Sequence, residues 1–188
     1  NQKIENVVIS IGKFGWMIEE YVQTLKNIEL NIHFSSEGEN LLGTGGAIKN
    51  SLSKLTQDFF VIYGDSFLPV NFDTIQRSYN KGNKLALMTI YKNKNSFDKS
   101  NVAYKNNKIL NYSKNSNDKN MEYIDYGLSI FSKKSFDKYD LNSKFDLSEV
   151  FLDMLNINQL NSYVVNERFY EIGFFKGIKD FENYLKNY

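Results

Sequence analysis

The stretch LLGTGGAIKNSL, Leu41 to Leu52, followed by DFFVIYGDSF, Asp58 to Phe67, decides the fold. The first segment sets a glycine-rich turn directly before an amphipathic helix. The second ends an apolar strand on Gly64-Asp65. A helix feeding a strand in this way is one step of an α/β sheet.

The same alternation extends in both directions. Val7-Val8-Ile9-Ser10-Ile11 is a continuous β-branched run closed by Gly12, the pattern of a buried parallel strand. Phe14 to Lys26 carries Met17, Ile18, Tyr21, Val22 and Leu25 at helical spacing. Leu30 to Ser35 alternates as a strand, a helix is expected from Gly45 to about Leu55, and Asp58 to Tyr63 is a strand. Asn71 to Tyr79 reads as a helix capped by Asn71, and Leu85 to Tyr91 as a strand.

Beyond this point the polar stretch Asn93 to Asn120 holds two short strand patterns, Asn101 to Lys105 and Lys108 to Tyr112. Asn106-Asn107 forms the hairpin turn between them. Tyr123 to Phe131 is a longer strand. Asp146-Leu-Ser-Glu149 has the form of a capping box for a helix to about Leu155. Strands at Ser162 to Val165 and Arg168 to Ile172 precede a closing helix, Phe174 to Lys186. The expected fold is α/β: a Rossmann-like three-layer α/β/α arrangement around a mixed, mostly parallel central sheet. No repeat or linker divides residues 1–188, so a single domain is expected.

Bulk properties narrow the function. The 188 residues carry a net charge of +1, with lysines scattered rather than clustered, so nucleic acid and anionic membranes are not expected partners. Without cysteine there are no disulfides or thiolate metal sites, which fits a cytoplasmic protein. No apolar run reaches the ~20 residues that span a bilayer.

The residues with chemical potential are few. Gly43-Thr44-Gly45-Gly46 precedes a helix start, whose unpaired N–H groups and positive dipole end suit phosphates or the polar edge of a base. A tight turn needing positive φ explains the same glycines. Asp65 follows an apolar strand and so falls at its carboxyl end, where α/β sheets bind ligands and where Mg²⁺ accepts carboxylates. A turn-capping Asp is the plainer alternative. Glu171 occupies a similar strand end and is a candidate second metal ligand, while Lys114 is a candidate phosphate contact. The lone His33, mid-strand and without a histidine or cysteine companion, fits a structural or surface role. No nucleophile–histidine–acid set is present.

Taken in order, GTGGA opening a helix, a strand ending in GDS, YIDYGLSIF and FYEIGFFKGIKDFENYL resemble the sugar-1-phosphate nucleotidyltransferases across nearly the whole chain. The resemblance implies that a sugar 1-phosphate attacks the α-phosphorus of a nucleoside triphosphate, giving a nucleotide-sugar and pyrophosphate. It implies that Gly43, Thr44, Gly45, Gly46 and Gly64 lie at the nucleotide and that Asp65 and Glu171 hold Mg²⁺. It also implies that Lys114 steadies the sugar phosphate as a catalytic residue with Asp65, and that Gly127 lies near the sugar. The single-domain form and IDYGLS resemble heptose or mannose 1-phosphate guanylyltransferases, which mildly favours GTP and leaves UTP and CTP open.

Two features depart from the family pattern. Glu171 stands where many members have Asp. The family's first strand, its glycine-rich loop with arginine, and a downstream lysine are not found, a difference of roughly fifty residues, more than one βαβ unit. That absence predicts an open sheet edge and a chain that is poorly active by itself. A non-catalytic nucleotide- or sugar-phosphate-binding module is the second reading. A glycosyltransferase is third, because Ser66 and Phe67 follow Asp65 where an Asp-X-Asp motif would be expected. A homo-oligomer is left open.

Overall fold

The computed structural model describes residues 2–114, 118 and 120–187, so part of the polar stretch after Asn93 lies outside it. The chain divides into two compact units, one of Asn1–Phe59 with Ser132–Asp153 and one of Phe60–Phe131 with Met154–Tyr188.

In the first unit, β1 (Asn6–Ile11) and β2 (Asn31–Ser36) pair in parallel from Asn6↔Asn31 to Ile11↔Ser36. Helix α1 (Gly15–Thr24) connects them and α2 (Gly43–Ser51) follows, extended by a 3₁₀ turn over Leu52–Lys54. Ser10 and Ser51 join β1 to α2 through their hydroxyls at 3.0 Å. β1 differs from its reading as a strand buried on both faces, since Val7, Val8 and Ile9 are half-buried. The helical spacing of α1 also leads to an open face, with Trp16, Met17 and Tyr21 at 58%, 55% and 64% exposure. Periodicity makes a helix amphipathic, but only a covering element buries its stripe.

The second unit holds most of a six-stranded sheet. Its order is β7 (Lys108–Tyr112), β6 (Val102–Lys105), β8 (Tyr123–Ser132), β5 (Ala86–Lys92) and β9 (Leu160–Val165), with β3 (Asp58–Ile62) also pairing with β8. β5 runs parallel to β9 and antiparallel to β8, and β6 is antiparallel to β7 and β8. The mixed α/β class is as expected. The antiparallel share exceeds what alternating strands and helices suggest, because the β6–β7 hairpin and β8 return without a helical crossover. Asn106 and Asn107 supply the positive φ angles of that hairpin, 52° and 58°.

The register of β5 on β8 shifts between Met88 and Ile90. At the shift, the wholly buried Thr89 donates its hydroxyl to the Leu128 carbonyl at 2.5 Å, satisfying a group the ladder leaves over. Leu87, Ile124, Leu128, Ile130 and Phe169 form the core with Ile75 and Tyr79 of α3 (Phe72–Gly82). α3 starts as its sequence predicts, with Asn71 Oδ1 accepting the Thr74 amide at 3.1 Å. The remaining elements are α4 (Leu147–Asn156), α5 (Phe175–Lys186) and two short strands, β4 (Ser66–Phe67) and β10 (Tyr170–Glu171). The capping box of α4 forms, since Glu149 Oε1 accepts the Asp146 amide and Asp146 Oδ1 accepts the Ser148 amide, at 2.9 and 2.8 Å.

Candidate active site

The glycine turn belongs to the first unit. Gly43 has φ +74°, so a side chain there would be strained, and its β-carbon would stand 2.6 Å from the Phe145 carbonyl oxygen. A β-carbon on Gly45 would meet the Phe145 ring at 2.4 Å, and one on Gly46 the Ser143 carbonyl oxygen at 2.5 Å. The N–H groups of Gly45 and Gly46 both donate to the Phe145 carbonyl, at 3.1 and 3.2 Å. Phe145 N–H returns a bond to Leu42 O at 3.0 Å, and Leu147 N–H donates to Thr44 Oγ1 at 2.9 Å. Close packing against residues 143–147 therefore explains these glycines. Two of the amides that open α2 are spent on a protein carbonyl rather than exposed, as the pattern alone suggests. Tyr139 braces the contact, its ring stacked on Phe145 at 4.0 Å and its hydroxyl bonded to Asp153.

The candidate carboxylates belong to the second unit. β3 ends at Ile62, and a turn closed by Ser66 N–H on Tyr63 O at 3.2 Å carries Gly64 and Asp65 into β4. β4 pairs antiparallel with β10, Glu171 opposite Ser66 and Tyr170 opposite Phe67. Ile172 N–H extends the ladder to the Asp65 carbonyl at 2.8 Å. Asp65 and Glu171, far apart in sequence, thus meet on one two-stranded ribbon. So short a ribbon is marginal alone. Aromatic packing from α5 holds it, with Phe67 against Phe181 at 4.7 Å and Tyr170 against Tyr184 at 4.8 Å.

Burial pushes the Glu171 carboxyl above its ordinary range, and the charges of Asp98 and then Asp65 push it the same way. Among the described residues no group of three histidine, cysteine, aspartate or glutamate side chains gathers as a metal site.

Gly127 joins this cluster. Its φ is +90°, and a β-carbon on it would lie 3.6 Å from Tyr63 and 3.8 Å from Ser66 Oγ, on either side of the Asp65 turn. Its amide donates to Asp125 Oδ1 at 3.1 Å, and Tyr112 Oη lies 3.5 Å from Asp125 Oδ2. Burial pushes the Asp125 carboxyl up to about 6, opposed by the Gly127 amide, the charge of Lys114 and the Tyr112 hydroxyl. Lys114 itself is exposed. Gly64 has open space where a β-carbon would stand, so nothing in its packing demands glycine. His33 is exposed on β2.

Asp65, Glu171 and Gly127 are thus in one neighbourhood, while the exposed Lys114 enters only as a charge acting on Asp125. Sequence reading singled out those four but missed Asp125, Asp98 and Gly173. Gly173 and Asp125 lie within the quoted YEIG and IDYG segments, so the signal was in hand. Asp98 sits in a polar stretch that nothing sets apart.

No protein-family model matches the chain. A D-glycero-alpha-D-manno-heptose 1-phosphate guanylyltransferase of Campylobacter jejuni is 25% identical over 173 residues, covering 92% of this chain and 75% of that protein. HddC from Yersinia pseudotuberculosis, solved complexed with GMP-PN, superposes with a TM-score of 0.74 at 21% identity, over 97% of this chain and 80% of that one. The chain resembles the sugar-1-phosphate nucleotidyltransferases in sequence and in fold. A third nucleotidyltransferase, the inositol-1-phosphate CTP transferase from T. maritima, superposes with a TM-score of 0.73 at 17% identity, over 95% of this chain and 75% of that one. Among the described residues no helix is long and apolar enough to cross a membrane.

Proposed function

We propose that this protein transfers a nucleotidyl group from a nucleoside triphosphate to a sugar 1-phosphate, with GTP and a heptose 1-phosphate as the first pair to test. The observation that carries the proposal is that the β4–β10 ribbon brings Asp65 and Glu171 into adjacent ladder positions, Glu171 opposite Ser66 and Asp65 bonded to Ile172. The substrate choice leans on the guanylyltransferase relative and on the GMP-PN bound by a protein of the same fold.

In the reaction a phosphate oxygen of the sugar 1-phosphate forms a bond to the α-phosphorus. The bond from that phosphorus to the α,β-bridging oxygen breaks, and pyrophosphate leaves with the electron pair. Such transfer needs alignment and charge neutralisation more than a protein base. Asp65 and Glu171 would hold Mg²⁺, which takes one or two carboxylates and completes its shell with water and phosphate oxygens. Burial first, then the charges of Asp98 and Asp65, raise Glu171, and a bound divalent cation would offset them. When bound, the metal neutralises phosphate charge. Lys114 contributes a point charge to the sugar phosphate, and Gly127, without a side chain, leaves room for the sugar beside Tyr63. Gly43, Thr44, Gly45, Gly46 and Gly64 are assigned to the nucleotide. For Gly45 and Gly46 the assignment rests on the shape of the turn, because their amides are bonded to Phe145.

The test is pyrophosphate release by the full-length natural protein with each of the four nucleoside triphosphates, Mg²⁺ and a panel of hexose and heptose 1-phosphates. Release with one pair, abolished by EDTA and restored by Mg²⁺, is the expected result. Nucleotide or sugar-phosphate binding without release would assign the protein instead as a non-catalytic binding module.

A further inference from the structure

Arg168 has no part in the chemistry above, yet three groups hold it close to a carboxylate that does. Its guanidinium carbon lies 4.0 Å from the centre of the Phe97 ring and 4.8 Å from that of Tyr170, so the flat group packs on two aromatic rings. Its Nη2 donates to Asp180 Oδ2 of α5 at 2.5 Å. Phe97 is itself pinned. The buried Asn93 accepts the Phe97 amide on Oδ1 at 3.2 Å and donates Nδ2 to the Asp98 carbonyl at 2.6 Å. Tyr170, the first residue of β10, packs on Tyr184 of α5. At the next position of β10, the Glu171 carbonyl oxygen lies so close to Gly177 of α5 that a β-carbon there would stand 1.7 Å from it. Helix α5 thus touches the Glu171 backbone, and Arg168 ties the approach to β10 to the same helix.

Such an ion pair adds little to stability. Arg168 Nε is buried without a hydrogen-bond partner among the described residues, and a donor left over in this way offsets much of what the pair contributes. What the contacts do supply is a fixed place, because a planar group held by two rings and a carboxylate has few orientations open to it. We propose that Arg168 is a positioning residue for Glu171: through Phe97, Tyr170 and Asp180 it seats β10 on α5, and so sets where the Glu171 carboxylate stands relative to Asp65. The metal that Glu171 would hold comes from the transferase reading, on which this inference rests, while the seating of β10 can be tested without turnover.

Two measurements on the full-length protein decide the matter. The first is amide hydrogen exchange at Ile172, whose N–H bonds the Asp65 carbonyl. In Arg168→Met it is expected to quicken about tenfold, while the amides of β5 keep their rates. An unchanged Ile172 rate would overturn the positioning role. The second is Mn²⁺ binding, followed by electron paramagnetic resonance, in the wild type, Arg168→Met, Arg168→Lys and Glu171→Gln. Arg168→Met is expected to weaken Mn²⁺ about tenfold or more, the usual effect of losing a group that orients a ligand. Arg168→Lys should fall between, since it keeps the charge for Asp180 but not the flat face. The melting temperature of Arg168→Met should drop by no more than about 4 °C, because methionine packs on the rings and Asp180, 30% exposed, stays in reach of water. Unchanged Mn²⁺ affinity in Arg168→Met, with Glu171→Gln weakened, would overturn the inference and leave the metal reading standing. Weakened affinity that comes only with a drop of more than about 10 °C would make Arg168 a merely structural residue. Equal Mn²⁺ affinity in the wild type and Glu171→Gln would count against the metal reading instead, and the Ile172 rate would then decide the seating of β10 alone.

Discussion

A β-carbon on Gly173 would stand 2.9 Å from Oδ2 of Asp65. Asp65 packs its carboxylate against a residue that has no side chain, two positions beyond Glu171. The ribbon therefore fixes both the backbone of Asp65, through Ile172, and the space left to its carboxylate.

Gly173→Ala should accordingly move the Asp65 carboxylate by a few tenths of an ångström. A displacement of this size in a phosphoryl-transfer site costs about tenfold or more in kcat. We expect that loss with a melting temperature close to the wild type, measured by pyrophosphate release and thermal denaturation side by side. Unaltered kcat would show that the carboxylate moves aside at no cost.

Asp65→Asn removes one negative charge from the pair. Turnover should fall at least about a hundredfold, on the scale of losing a group that secures the charge-neutralising ion. The fold should be retained, because the ladder bond to Ile172 uses the Asp65 backbone carbonyl and not its side chain. Circular dichroism with a turnover assay separates the two effects. Normal turnover in this variant would remove Asp65 from the site.

The glycines of the α2 turn should respond as packing residues. Gly45→Ala drives a methyl group into the Phe145 ring and Gly46→Val a larger group into the Ser143 carbonyl, so each should lower stability by about 1–3 kcal/mol. Gly64→Ala, with nothing within 4 Å of its β-carbon, should stay within about 0.5 kcal/mol. Urea denaturation of the three variants measures this. A fully stable Gly46→Val protein with weakened nucleotide affinity would return that glycine to a ligand-facing role.

Asp125 should leave a mark on the pH dependence of stability. Its carboxyl has an ordinary value of 3.8 and rises to about 6 in the folded protein. Between these values the folded state holds a proton that the unfolded chain has released, so stability falls as pH rises through this window. The full penalty, reached above pH 6, is about 3 kcal/mol at 1.36 kcal/mol per pH unit. Asp125→Asn should lack this slope, so the stability difference, variant minus wild type, should grow from pH 4 to pH 6 and then level off. A constant difference across that range would place the Asp125 carboxyl in the ordinary range.

The sequence by itself determined the local structure. Hydrophobic periodicity located helices and strands, Asn71 and the Asp146–Glu149 box marked two helix starts, and Asn106-Asn107 set a hairpin. These signals are legible because each depends on residues within a few positions of one another. The order of four short motifs was enough to indicate the family resemblance. Tertiary structure alone decided which distant groups meet. The strand at Arg168 to Ile172 was legible, but only its pairing with β4, two residues long and without a pattern of its own, sets Glu171 opposite Ser66 and so next to Asp65. Only the turn of β8 at Gly127 sets Asp125 between a backbone amide and a tyrosine hydroxyl. Only residues 143–147 reveal that the GTGG glycines make room for a neighbouring backbone. Pairing and packing of this kind depend on contacts between segments remote in the chain, and on desolvation that no single segment carries.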